Sequence, residues 1–153
     1  MRSGIDQDVR GRRRVMAVLA RSGSKDLGAL LSIAGDLPEH EDIRSPEAGL
    51  VMLRGRIAGS GSPFNIGEAS VTRAAVRLAS GETGYSYILG RDPKKARAAA
   101  LVDALWQRPD WRPLVETKIV GPLARALEAR EVLDAAETAA TRVDFFTLVR
   151  GED

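Results

Sequence analysis

Five arginines and one glutamate stand out for their spacing. Arg54 and Arg56 alternate in "VMLRGR", Arg73 and Arg77 recur in "VTRAAVRL", Arg91 follows "GYSYILG", and Glu68 precedes the second pair in "GEASVTR". A guanidinium presents a planar fork of donors that suits phosphate or phosphonate oxygens, and equally a carboxylate on a partner. Glu68 can answer one of these arginines internally, or serve as an acid or base. An arginine-lined face of a sheet therefore reads two ways, as a solvated surface or as a partner-facing one, with catalysis the smaller possibility.

Between these residues lies "GSGSPF" (59–64), which has the glycines and serines of a phosphate cradle. A P-loop needs a lysine after its last glycine and a helix behind it, so that amides and the helix terminus meet the phosphates. Here neither follows. A dinucleotide fingerprint fails for want of a third glycine and a helix. The stretch reads as a turn joining two strands, bent by Pro63 and the glycines.

Other chemistries are narrowed by what is scarce. The 153 residues contain no cysteine, which excludes disulfides, thiol catalysis and thiolate-held clusters within this chain. His40 is the single histidine, so a metal site built by this chain alone is not expected. It sits in the acidic "LPEHED" and reads as a solvated loop residue; serine-triad chemistry would need it as base. No apolar run has membrane-spanning length and no secretory leader is legible, which fits the cytoplasm. Net charge is only +2, but Arg2, Arg10, Arg12, Arg13, Arg14 and Arg21 crowd one end. Such a cluster suits a polyanion or, more plainly, a solvated helix.

The elements that must position these side chains follow from periodicity. Ile5 to Arg21 reads as a helix with Ile5, Val9, Met16, Leu19 and Ala20 on one stripe. Ser24 is placed as N-cap of a second helix whose Leu27, Leu30, Leu31 and Ala34 face inward, with Gly35 ending it. "GLVMLRGRIAG" alternates as a strand with one wet face. Ile66 to Leu78 forms a second strand. "GYSYILG" forms a third, with Tyr85, Tyr87 and Leu89 on one side. Asp92 and Pro93 open a helix that Pro109 stops. Trp111 lies between prolines and is expected to plug a core edge or a partner surface. "VETKIV" reads as a short strand. "GPLARALEAREVLDAAETAA" is a long helix with Leu123, Ala126, Leu127 and Leu133 near one stripe. "TRVDFFTLVRGED" reads as a last strand, apolar on both faces. The sum is an α+β fold, one domain over 1–153: an N-terminal helical hairpin (about 5–35), then an antiparallel sheet (meander plus C-terminal strand) packed with two further helices (about 42–150).

The motifs "PE-x-GLV", "G-x-GxPFxxGEAxVTRAAVRL", "GYSYxxGRD" and "TRVDFFTLVRG" together resemble the PhnG family, the G subunits of the bacterial carbon–phosphorus lyase system, from about Arg13 to Asp153. The resemblance implies a subunit that assembles with H, I and J subunits in a core complex, with ATPase-like K and L proteins associated. It implies support for the I subunit as that subunit displaces adenine from MgATP with a phosphonate, giving a ribose 1-phosphonate 5-triphosphate. A radical iron–sulfur enzyme, the J subunit, later breaks the carbon–phosphorus bond. MgATP is then a substrate of the complex, and this chain binds no cofactor alone and carries no catalytic residue. Neither a membrane nor a nucleic acid is an expected partner. Trp111, Arg142, Phe145, Phe146 and Arg150 supply material for a subunit interface. Two other readings stay open. One is an autonomous transferase with Arg54, Arg73, Arg77 or Arg91 on anionic oxygens and Glu68 as acid or base. The other is a small nucleic-acid module using the N-terminal arginines.

Overall fold

The computed structural model describes residues 2–57 and 60–141. Helix α1 (Arg2–Arg21) and helix α2 (Ser24–Ile33) precede a long antiparallel meander of β1 (His40–Arg56), β2 (Pro63–Leu78) and β3 (Thr83–Leu89), in the order β1-β2-β3. Helix α3 (Pro93–Gln107) follows. A single helical turn α4 (Arg112–Leu114) then leads through a π-helical segment (Val115–Val120) into α5 (Gly121–Ala140). The arrangement is α+β, helices before and after a sheet. The final strand expected at 143–149 lies outside the described residues.

Helix α3 organises the core. Asp92 caps it by accepting from Lys95 N at 2.9 Å, and Pro93 occupies the first turn, where no intrahelical donor is needed. The Lys95 amide holds the Asp92 carboxyl below the usual carboxylate range. Residues Ala99 to Trp106 are all buried, so the helix is enclosed nearly all round. The sheet covers one side; α1, α2 and the π-helical segment cover others. Its alanines let the sheet come close. A Cβ on Gly84 of β3 would stand 1.9 Å from Ala100 O, so only glycine fits at this contact.

Along β2 the alternation holds. Thr72, Ala74, Val76 and Leu78 are buried, while Arg73 and Arg77 are exposed. In β3, Tyr85, Tyr87 and Leu89 are exposed, and Ser86 and Ile88 are buried. Strand β1 begins earlier than its sequence suggests. His40 is not in a solvated loop but half-buried at the strand start, paired with Leu78, with its Nδ1 2.8 Å from Pro38 O. Pro46 is tolerated because β1 is an edge strand, and the register shifts between Arg44 and Glu47.

Four further expectations change. Val9 of α1 is 54% exposed while Val15 is fully buried, so the helix is rotated from the expected stripe. Gly23, not Ser24, is the N-cap of α2, and Ser24 is the first helical residue. "VETKIV" is π-helical rather than a strand. Pro122 has no N–H to offer the carbonyl four residues back, and the ladder ahead of it widens so that Gly121 N donates to Glu116 O. In α5 only Leu123 is buried and Leu133 is 64% exposed, because past Leu127 nothing among the described residues covers that stripe.

Candidate functional site

The sheet face turned away from α3 gathers most of the chemistry-bearing residues. Cross-strand register places Arg77 beside Glu41 and Arg73 between Glu47 and Tyr87, and sets Ala75 between Arg44 and Tyr85. Residues opposite one another share a face, so these rows form one surface. Arg77 donates from Nε and Nη2 to Glu41 Oε1 at 3.0 and 2.7 Å. Arg73 Nε and Arg44 Nη1 both donate to Glu47 Oε1, at 2.8 and 2.7 Å. The Arg73 hydrogen bond, with Arg44 adding to it, holds the Glu47 carboxyl below its ordinary range. Glu68, the expected internal answer to an arginine, is exposed beside Met52 instead. Glu47 and Glu41 take that part.

Buried Ala75 floors an open depression of about 320 Å³ walled by Arg44, Arg73, Tyr85, Tyr87 and Met16. Three guanidiniums face two carboxylates here, which leaves spare N–H donors beside two aromatic rings. Arginine and tyrosine on a rigid sheet are residues that protein interfaces favour, because they supply area and directed hydrogen bonds with little flexibility lost.

The remaining arginines do not join this group. Arg54 pairs with Asn65, far along the hairpin, and Arg56 Nη1 donates to Gly61 O at 3.1 Å. Asn65 lies eight residues from Arg73 along β2, or about 26 Å at strand rise. Arg91 Nε donates to Ser70 Oγ at 3.2 Å near the start of α3. These side chains cannot grip one phosphate together.

Three of the N-terminal arginines, Arg12, Arg14 and Arg21, are engaged within the molecule. Arg12 donates from Nε and Nη2 to Asp103 Oδ1 and Oδ2 at 2.8 and 2.7 Å, and Asp103 Oδ2 also accepts from Tyr85 N at 2.9 Å. Asp103 is fully buried, and its hydrogen bond raises the Arg12 pKa further. This fork ties α1 to α3 and β3. Sequence reading missed it, although an aspartate inside the apolar run "ALVDALW" is a signal that a cation must meet it. Arg14 pairs with Glu116, which also accepts from Trp106 Nε1 at 2.7 Å. Arg21 pairs with Glu131. Arg112 stacks 4.2 Å from the Trp106 ring and pairs with Asp8 at 2.8 Å.

Trp111 is half-buried against the core edge. Arg142, Phe145, Phe146 and Arg150 lie outside the described residues. Among the described residues no three His, Asp or Glu side chains group to hold a metal, and no helix is long and apolar enough to cross a membrane.

Comparison with known proteins agrees with the motifs. Residues 10–151 match the family model described as phosphonate metabolism protein PhnG. A Rhizobium meliloti (strain 1021) protein named alpha-D-ribose 1-methylphosphonate 5-triphosphate synthase subunit PhnG is 49% identical over 148 residues, covering 97% of this chain and 94% of its own length. With a fold of enclosed helix and open arginine–tyrosine sheet face that runs through the matched region, this chain belongs to the PhnG family.

Proposed function

We propose that the chain is an accessory subunit of an α-D-ribose 1-methylphosphonate 5-triphosphate synthase, a transferase complex of phosphonate breakdown. One observation carries this: the Rhizobium meliloti relative bears that subunit name at 49% identity across 97% of this chain. In the reaction an oxygen of the alkylphosphonate bonds to ribose C1 of MgATP as the bond from C1 to adenine breaks. The I subunit performs the displacement and this chain supports it, beside H and J, with K and L associated. The work is cytoplasmic, where MgATP is available. This chain binds no cofactor of its own.

The geometry favours support over catalysis. The candidate anion-binding arginines are dispersed, and the arginines of the sheet face are held by Glu41 and Glu47. That face, with Tyr85 and Tyr87, is suited to a neighbouring subunit. The test is adenine release from MgATP and methylphosphonate by this chain alone and by the chain with H, I, J and L. Activity is expected only from the assembly. Release by the isolated chain would establish an autonomous transferase. Arg73→Glu is expected to weaken assembly by about tenfold or more through like-charge repulsion with Glu47 and a lost partner contact; unchanged assembly would remove this face from the interface.

A further inference from the structure

Strands β1 and β2 run on well past the rest of the sheet. Their pairing continues from Leu50 opposite Ser70 to Arg56 opposite Pro63, whereas β3 reaches only Leu89 opposite Val71. Beyond that point no third strand flanks the pair among the described residues. The result is a two-stranded arm, residues 50–56 with 63–70. Leu50, Met52, Leu53, Phe64 and Ile66 on it, and Ile57 just past its end, are 43–70% exposed. They lie on both faces, since Leu50 and Met52 alternate with Val51 and Leu53 along one strand.

A two-stranded ribbon in water is marginally stable at best. This one is additionally shaped: the register slips between Leu53 and Arg54, and Ile66 Cδ1 fills the space over Gly55, where a Cβ would meet it at 2.9 Å. Those six side chains present on the order of 600 Å² of apolar surface, close to the roughly 800 Å² that each partner commits in a standard interface. The arm tip carries Arg54 and Arg56, and Glu68 is the one acidic residue between positions 50 and 70. Arg56 is held by a backbone carbonyl, not a carboxylate.

We propose that this arm is the docking element of the chain, and that it inserts into an apolar groove of a sister synthase subunit. Both arm faces are covered there, and the groove carries carboxylates where Arg54 and Arg56 arrive. The proposal rests on the subunit reading above and names the segment that carries it.

The experiment uses the full chain co-expressed with the H, I and J subunits, beside a triple variant Leu50→Ser, Met52→Ser, Ile66→Ser. The variant is expected to unfold within a few degrees of the wild type, because these side chains are exposed. It is expected to lose at least about tenfold in affinity for the assembly. Hydrogen exchange on the wild type should show arm amides exchanging fast in the free chain and slowly in the complex. Arg54→Glu with Arg56→Glu, a pair remote from the core, should slow association and weaken its salt dependence. If the wild type joins no complex, the subunit reading falls and the arm's partner with it. If the wild type joins and the triple variant joins equally well, the arm proposal alone falls. If the isolated wild type is a dimer that the triple variant turns into a monomer, the occupant is a second copy and the proposal is overturned.

Discussion

Asp103 is a carboxylate at zero exposure whose charge is met by the Arg12 fork and one backbone amide. Truncating one partner of such a pair strands the other. Asp103→Ala is expected to lower the unfolding free energy by about 3 kcal/mol, read by urea denaturation. With Arg12→Ala the two losses should be clearly less than additive; additive losses would show that the pair is not a unit. Glu47 supplies the pH signature. Its folded pKa lies below its unfolded one, so its contribution is fully present above the unfolded value of about 4.5 and is lost as pH falls through the folded value. Melting temperature should therefore fall on acidification below that point, and Glu47→Gln should flatten part of the fall. An equally steep decline in the variant would assign the acid sensitivity elsewhere. These residues show where sequence reading stopped. Arg73 was legible as a charged residue on an open strand face, because period-two alternation announces it. Its partner was not. Glu47 lies in "RSPEAG", where Pro46 and the polar neighbours hide the strand, and only the β1–β2 register brings the two together.

Between elements, the β3–α3 contact is the tightest approach. Gly84→Ala would force a methyl against Ala100 O and Ala104 N, and neither backbone atom can yield without moving the helix. A loss of about 3 kcal/mol or more is expected, with insoluble expression or a steep fall in melting temperature as the readout; a near-neutral result would mean that α3 stands off the sheet in solution. The caps and turns around this contact were legible, since Asp92 and Pro93 act through local chemistry. The helix rotation that buries Val15 and exposes Val9 was not, because it depends on the elements that pack against α1, namely α3, β3, α5 and the π-helical segment, rather than on α1 itself. The "VETKIV" segment misled for a related reason. Val, Thr and Ile favour strands in general, but burial of Val115, Ile119 and Val120 on one helical side outweighed that preference.

For the whole molecule, family membership and the α+β order were readable from motifs and periodicity. The contrast between the two sheet regions was not. Near β3 the sheet is backed by α3 and wears an arginine–tyrosine face; farther out it is a ribbon that no third strand flanks among the described residues. Under the proposed subunit role the two regions would do different work. Arg73→Glu and the arm variant should therefore be separable: their effects on assembly affinity are expected to add, since about 10 to 23 Å of strand divides Arg73 from the three substituted positions and they share no partner. Strong coupling would indicate one continuous interface instead.

The ribbon also bears on how much of this chain a cell can tolerate. A long edge strand with apolar side chains on both faces is a template for pairing between copies. Molecules made beyond the number that can be covered would aggregate or be degraded, so the arm sets an upper limit on orphan chains. Supply of this subunit would then follow supply of its partner, with no separate regulator needed. Pulse-chase of the chain expressed alone should show a shorter lifetime than in the presence of its partners, and the Leu50→Ser, Met52→Ser, Ile66→Ser variant should be the longer-lived orphan.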